Sequence, residues 1–147
     1  MRSKAYTQEH SKGGTQENLP LIEVFPNAYP PVKNGKSFDP YEIKIEMPEF
    51  TSICPKTGLP DFGTIAIRYY PGDWVAELKA LKLYMNGYRN LGIFQENVVN
   101  RVLRDFAKAT QPIFCEVVGE FIPRGGLKTR VMACHGNECK ADRTNGR

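Results

Sequence analysis

Along residues 41–47, "YEIKIEM", apolar and charged positions alternate strictly: Tyr41, Ile43, Ile45 and Met47 fall on one face, Glu42, Lys44 and Glu46 on the other. A period of two predicts a half-buried strand. "TIAIRYY", residues 64–70, predicts a second strand, stopped by Pro71 and Gly72. From Ala76 the period lengthens. Leu78, Leu81, Met85 and Tyr88 form one helical stripe that runs to Arg89 and is broken by "NLG" at 90–92. A second helix starts near Glu96 with Val99, Val102, Leu103 and Phe106 inward, and ends before Pro112. Two further strands, 114–121 and 127–133, flank the turn "PRGG". The order β-β-α-α-β-β predicts an α+β domain, an antiparallel sheet with two helices on one face.

The flanks read differently. Residues 1–20 are polar and aperiodic, which predicts a disordered N-terminal arm; 21–133 form the domain and 134–147 a basic C-terminal tail. The stretch 24–40, rich in Pro, Asn and Gly, reads as coil leading into the fold. At 147 residues, 41% apolar and 24% charged, the chain has the size and composition of one ordinary globular domain. No apolar run approaches the roughly 20 residues of a membrane span, and the basic start lacks the apolar centre of a secretory signal. The expected location is the cytoplasm, with no membrane partner.

Charge and cysteines narrow the chemistry. Residues 124–147 carry six basic and two acidic residues, the whole of the net +4, and read as a solvated end; no direct nucleic-acid contact is expected. Cys54, Cys115, Cys134 and Cys139 contain no CxxC pair, so no disulfide framework is expected. "CHGNEC", residues 134–139, lacks a second ligand pair, so no metal site is expected. His10 and His135 fall outside the core segments, which excludes a Ser–His or Cys–His dyad and a histidine-bound catalytic zinc.

Three features remain as candidate chemistry. In "FTSICPKTGLPDFG", residues 50–63, Cys54 and Asp61 lie seven positions apart in a stretch of turn residues. A thiolate adds to carbon electrophiles such as nitriles, and without a core histidine a carboxylate is the remaining acid–base group. A cysteine entering a strand can equally be a small packed hydrophobe. In "ELKALKLY", residues 77–84, Lys79 and Lys82 are placed on the face opposite the leucine stripe, either to hold phosphates or as an exposed amphipathic face. In "IFQENVVNRV", residues 93–102, Glu96 suits a helix start through the helix dipole; it could also accept a pair of N–H donors from a guanine-like base edge.

These blocks, with "PRGG", stand in the order and at the intervals of the NADPH-dependent 7-cyano-7-deazaguanine reductases, and the chain resembles that family over residues 22–133. The resemblance implies the tunnelling fold, with chains assembled in rings so that their sheets form a continuous barrel. It implies Cys54 as the nucleophile that forms a thioimide with the nitrile carbon and Asp61 as proton donor to the nitrogen. It implies that Gln95 and Glu96 hold the deazaguanine edge, that Ala76, Glu77 and Leu78 line the substrate pocket, and that Lys79 and Lys82 belong to the NADPH-binding block. Nitrile to amine is a four-electron reduction, hence two NADPH per product, within queuosine biosynthesis. Many relatives have histidine where this chain has Gln95, and glutamine cannot shuttle a proton at neutral pH.

Three rivals share some of these features. An amidinotransferase of the same fold would use the thioimide without NADPH, for which the intact "ELKALKLY" block has no purpose. A zinc-dependent GTP cyclohydrolase would need core histidines. A non-catalytic base-binding protein would tolerate loss of Cys54 and Asp61.

Overall fold

The structure, a computed structural model, describes residues 19–136 and 138–139. Of the arm expected at residues 1–20, residues 1–18, with His10, lie outside the described residues, as does most of the basic tail.

Alternating patterns build a four-stranded antiparallel sheet in the order β4-β5-β7-β8: β4 (Ile43–Ile53), β5 (Pro60–Tyr70), β7 (Phe114–Phe121) and β8 (Arg130–Gly136). The first hairpin is longer than its alternation suggests. β4 continues past Pro48 to Ile53, with a register shift between Met47 and Phe50, and β5 already begins at Pro60. Pro48 has no N–H to give the ladder, so the strand bulges there and resumes. Most of the stretch read as a loop between strands is therefore ladder, and the true turn is 54–59. β8 likewise starts and ends three residues later than expected, because Gly125 and Gly126, at φ of 56° and 80°, form a tight two-residue turn bridged by Arg124 and Leu127.

The Pro- and Gly-rich entry is not all coil. β1 (Val24–Pro26) pairs antiparallel with β6 (Trp74–Ala76), and β2 (Val32–Lys33) pairs with β3 (Lys36–Ser37) around Asn34–Gly35, both at positive φ. "NG" between two strands is the turn signal that a reading by composition passes over.

Helix α1 (Leu78–Asn86), a 3₁₀ turn (Gly87–Asn90) and helix α2 (Gln95–Thr110) cover one face of the sheet. Phe50, Ile65, Ile67, Tyr69, Val117 and Phe121 meet Leu81, Tyr84, Met85, Tyr88, Val99, Val102 and Phe106 there. A Cβ on Gly119 would come within 2.6 Å of Val99 Cγ2, so α2 lies against the sheet only because that position has no side chain. Leu78 departs from the expected stripe: it is 60% exposed, at the margin rather than the centre of the buried face. The two core tyrosines keep their hydroxyls paired, that of Tyr84 lying 2.8 Å from that of Tyr88 and donating to Asp105 Oδ2 at 2.7 Å.

Cys134 and Cys139 form a disulfide across a Cα–Cα distance of 5.6 Å, a single local bridge where no disulfide framework was expected. Spacing rules find frameworks, not one local bridge; here β8 carries Cys134 to a point from which the chain folds back. His135 sits exposed on β8 opposite Cys115, in the rung that continues to Tyr69, remote from Asp61.

Candidate active site

The β4–β5 turn is built around Cys54. Cys54 N–H donates to the Leu59 carbonyl at 2.9 Å, and Gly58 N–H donates back to the Cys54 carbonyl at 2.9 Å. Gly58, at φ +71°, ends this single turn in a conformation that favours glycine. Behind it, Ser52 and Asp61 face one another across the ladder, and both are buried. Opposed residues of an antiparallel pair project to the same face, so Asp61 is sunk beside the base of the turn that carries Cys54.

Asp61 has a partner that the sequence reading did not supply. Arg124, on the short β7–β8 turn, places Nε 3.1 Å from Asp61 Oδ1. The turn is pinned over Asp61 by Ile122 N–H, which donates to the Phe62 carbonyl at 2.8 Å. Ser52 Oγ, buried beside this pair, has no hydrogen-bond partner among the described residues. "PRGG" announced a turn, but nothing local says which carboxylate its arginine meets.

Burial pushes the Cys54 thiol up, yet the Thr57 hydroxyl and the N–H groups of Thr57 and Lys56 more than offset it. The net shift is downward, against a smaller opposing effect of the Asp61 charge. Cys115, by contrast, is pushed up to about 12 by burial in the core. Environment alone thus eases one thiol towards its thiolate and holds the other neutral as packing.

The segment after the 3₁₀ turn docks beside Cys54. Ile53 N–H donates to the Leu91 carbonyl at 3.0 Å and Ile93 N–H to the Ile53 carbonyl at 2.9 Å. This parallel bridge brings the start of α2, with half-buried Gln95 and exposed Glu96, to the Cys54 end of the sheet.

Ala76, Glu77 and Leu78 go elsewhere. Ala76 N–H donates to the Tyr69 hydroxyl at 3.2 Å, and Tyr69 lies eight positions along β5 from Asp61, about 26 Å at the rise of a strand. Glu77 is also engaged as the N-cap of α1, accepting from Lys79 N–H at 2.9 Å and Ala80 N–H at 2.7 Å. Those bonds hold its carboxyl below the usual range. Of the nine candidate positions, one chain gathers Cys54, Asp61, Gln95 and Glu96 at one end of the sheet and leaves the α1 block towards the other.

Lys79 and Lys82 are both exposed, but Lys82 does not share a face opposite the leucines. It lines a groove of about 250 Å³ with Ile45, Met47, Leu78, Leu81 and Met85. Glu77 occupies two amides of the helix start, so anion binding there would fall to the ammonium groups. Lys79 is not among the residues that line this groove, so the two ammonium groups do not share it.

Residues 60–140 match the family model described as QueF-like protein. The chain is 48% identical over 128 residues to the NADPH-dependent 7-cyano-7-deazaguanine reductase of Elusimicrobium minutum, covering 87% of this chain and 91% of that one. It is 49% identical over 115 residues to the enzyme of the same name from Chloroherpeton thalassium, covering 78% and 93%. The crystal structure of the archaeosine synthase QueF-Like in the apo form aligns with a TM-score of 0.59 at 22% identity, over 69% of this chain and 98% of that chain. That likeness shows the fold, and the tunnelling-fold expectation holds.

Proposed function

The chain belongs to the QueF-like family of NADPH-dependent 7-cyano-7-deazaguanine reductases, and on that membership we propose that it reduces the nitrile of 7-cyano-7-deazaguanine to an aminomethyl group, a step of queuosine biosynthesis. The observation that carries the chemistry is the placement at one hairpin end of a thiol below its ordinary pKa and a buried carboxylate. In this reading the Cys54 proton passes to Asp61, the thiolate adds to the nitrile carbon as one C–N π bond opens, and Asp61 returns the proton to nitrogen. Atoms and charge balance, and no histidine is required. NADPH, when bound, supplies the hydride for each two-electron reduction; Lys79 and Lys82 would hold its phosphates. Glu96, with Gln95 beside it as a hydrogen-bonding and not a proton-shuttling residue, would take the N–H edge of the base.

The working site would be shared between copies of the chain. The α1 block and the Cys54 turn stand towards opposite ends of one sheet, and among the described residues β8 and the part of β4 before Ile53 each have an edge with no paired strand. Pairing such edges between copies would close the sheet and bring one chain's Glu77 end to another's Cys54 end. A homo-oligomeric ring follows.

The test is mass spectrometry of the protein with 7-cyano-7-deazaguanine and no NADPH. One nitrile per chain should add, and Cys54→Ala should abolish the gain. An adduct that persists in the variant would sink the mechanism.

A further inference from the structure

We propose that Arg124 is a positioning residue for Asp61: its ion pair holds the carboxyl group where it can pass a proton from Cys54 to the nitrile nitrogen. The inference deepens the reductase reading and rests on it for the identity of the reaction. Asp61 is the second residue of β5, buried on the same face as Ile65 and Ile67 and level with Ser52 on β4. Its own hairpin does not fix it. Ser52 Oγ is buried and has no hydrogen-bond partner among the described residues, so the residue opposite does not hold the carboxylate. The contact comes from the other hairpin, as Arg124 Nε 3.1 Å from Oδ1.

That second hairpin presents one side chain at one place. Arg124 and Leu127 exchange both backbone hydrogen bonds, at 3.0 and 2.9 Å, across the two-residue glycine turn. Ile122 N–H ties the preceding strand to the Phe62 carbonyl at 2.8 Å, one residue from Asp61. The strands stay close at Gly63, where a Cβ would come within 2.6 Å of the Glu120 carbonyl oxygen. Backbone contacts, and not the ion pair, therefore set how near Arg124 stands to Asp61. Nor does Arg124 serve its own strand, since Glu120 is paired with Arg130 at 3.3 Å. A carboxyl group that takes a proton and then releases it to nitrogen has to keep one orientation through both transfers. A guanidinium that claims Oδ1 leaves Oδ2 as the oxygen for that proton.

The experiment compares two reactions of Cys54, both without NADPH, in the parent, Arg124→Ala, Asp61→Asn and the double variant. Addition to the nitrile of 7-cyano-7-deazaguanine, followed by stopped flow, needs a proton at nitrogen. Alkylation by iodoacetamide expels iodide and needs none. Cys115 is buried and Cys134 and Cys139 are joined, so alkylation of the unreduced chain reads Cys54. Arg124→Ala should slow addition about tenfold, a part of the roughly 100-fold expected for Asp61→Asn, and leave alkylation at the parental rate. On top of Asp61→Asn it should add no further loss, because Arg124 acts through Asp61. Arg124→Lys, which keeps the charge without the planar fork, should fall between parent and alanine variant, and replaces the latter if it folds poorly. Equal addition rates in parent and Arg124 variants would overturn the proposal. So would an equal slowing of both reactions, the mark of a merely structural role, or a further tenfold loss on top of Asp61→Asn. A parent that alkylates but forms no nitrile adduct would instead remove the reductase reading, and this role with it.

Discussion

Arg124 Nε meets Asp61 Oδ1 at 3.1 Å, a pair that joins the turn of one hairpin to the second residue of another. Asp61 is 5% exposed, and across the ladder from it is the hydroxyl of Ser52, unpartnered among the described residues. Removing the arginine leaves a carboxylate with its solvation already lost. Arg124→Ala should destabilise the fold by about 1–2 kcal/mol, less than a fully buried pair because the arginine is partly exposed. Urea denaturation of Arg124→Ala, Asp61→Asn and the double variant checks this. The double variant should lose clearly less than the sum of the singles; simple additivity would mean that the two side chains do not interact.

Asp61→Asn should keep the thiol but remove the proton carrier. Stopped-flow formation of the nitrile adduct should slow by roughly 100-fold, the usual scale of a lost general acid. A parental rate would move the acid to another residue.

The lysines of α1 should act on NADPH alone. Lys79→Ala and Lys82→Ala should each raise the NADPH Michaelis constant about threefold to tenfold, an effect that fades with added salt because both side chains are exposed. The rate of adduct formation should not change. Parental Michaelis constants in both variants would return these lysines to a solvated helix face.

If the Glu77 end of one chain completes the Cys54 end of another, two inactive variants should rescue each other. Cys54→Ala and Glu77→Ala chains, unfolded together and refolded as a mixture, should recover roughly a quarter of parental activity, the share of sites that draw one intact half from each parent. A mixture as inactive as its components would place a complete site within one chain.

The Glu77 cap predicts a pH dependence. Its carboxyl is held below its ordinary value of 4.5 by the Lys79 and Ala80 amides. Its contribution is therefore fully present above that value and fades as pH falls through the lowered one. The stability gap between parent and Glu77→Gln, measured by urea midpoints, should be constant near neutrality and close on the acid side. A gap that widens with acid would contradict the cap.

What the sequence determined by itself is what local chemistry dictates. Alternation at 41–47 and 64–70 and the 3.6-residue stripes of the two helices depend only on near neighbours, so the element order was legible. Family blocks marked Cys54, Asp61 and Glu96 before any coordinate. Tertiary structure decided what depends on register. A bulge at Pro48 and ladder pairing to Ile53 and Pro60 turned an apparent loop into strand, and so set Ser52 opposite Asp61. The packing of α1 on the sheet put exposed Lys82 and largely exposed Leu78 at the margin of one apolar groove. Extension of β8 to Gly136 carried Cys134 to where Cys139 reaches it. Arg124 found Asp61, and Glu77 parted from Cys54, because two hairpins and a helix pack in one arrangement. Periodicity reports which way a side chain faces; only the packed chain reports what it faces.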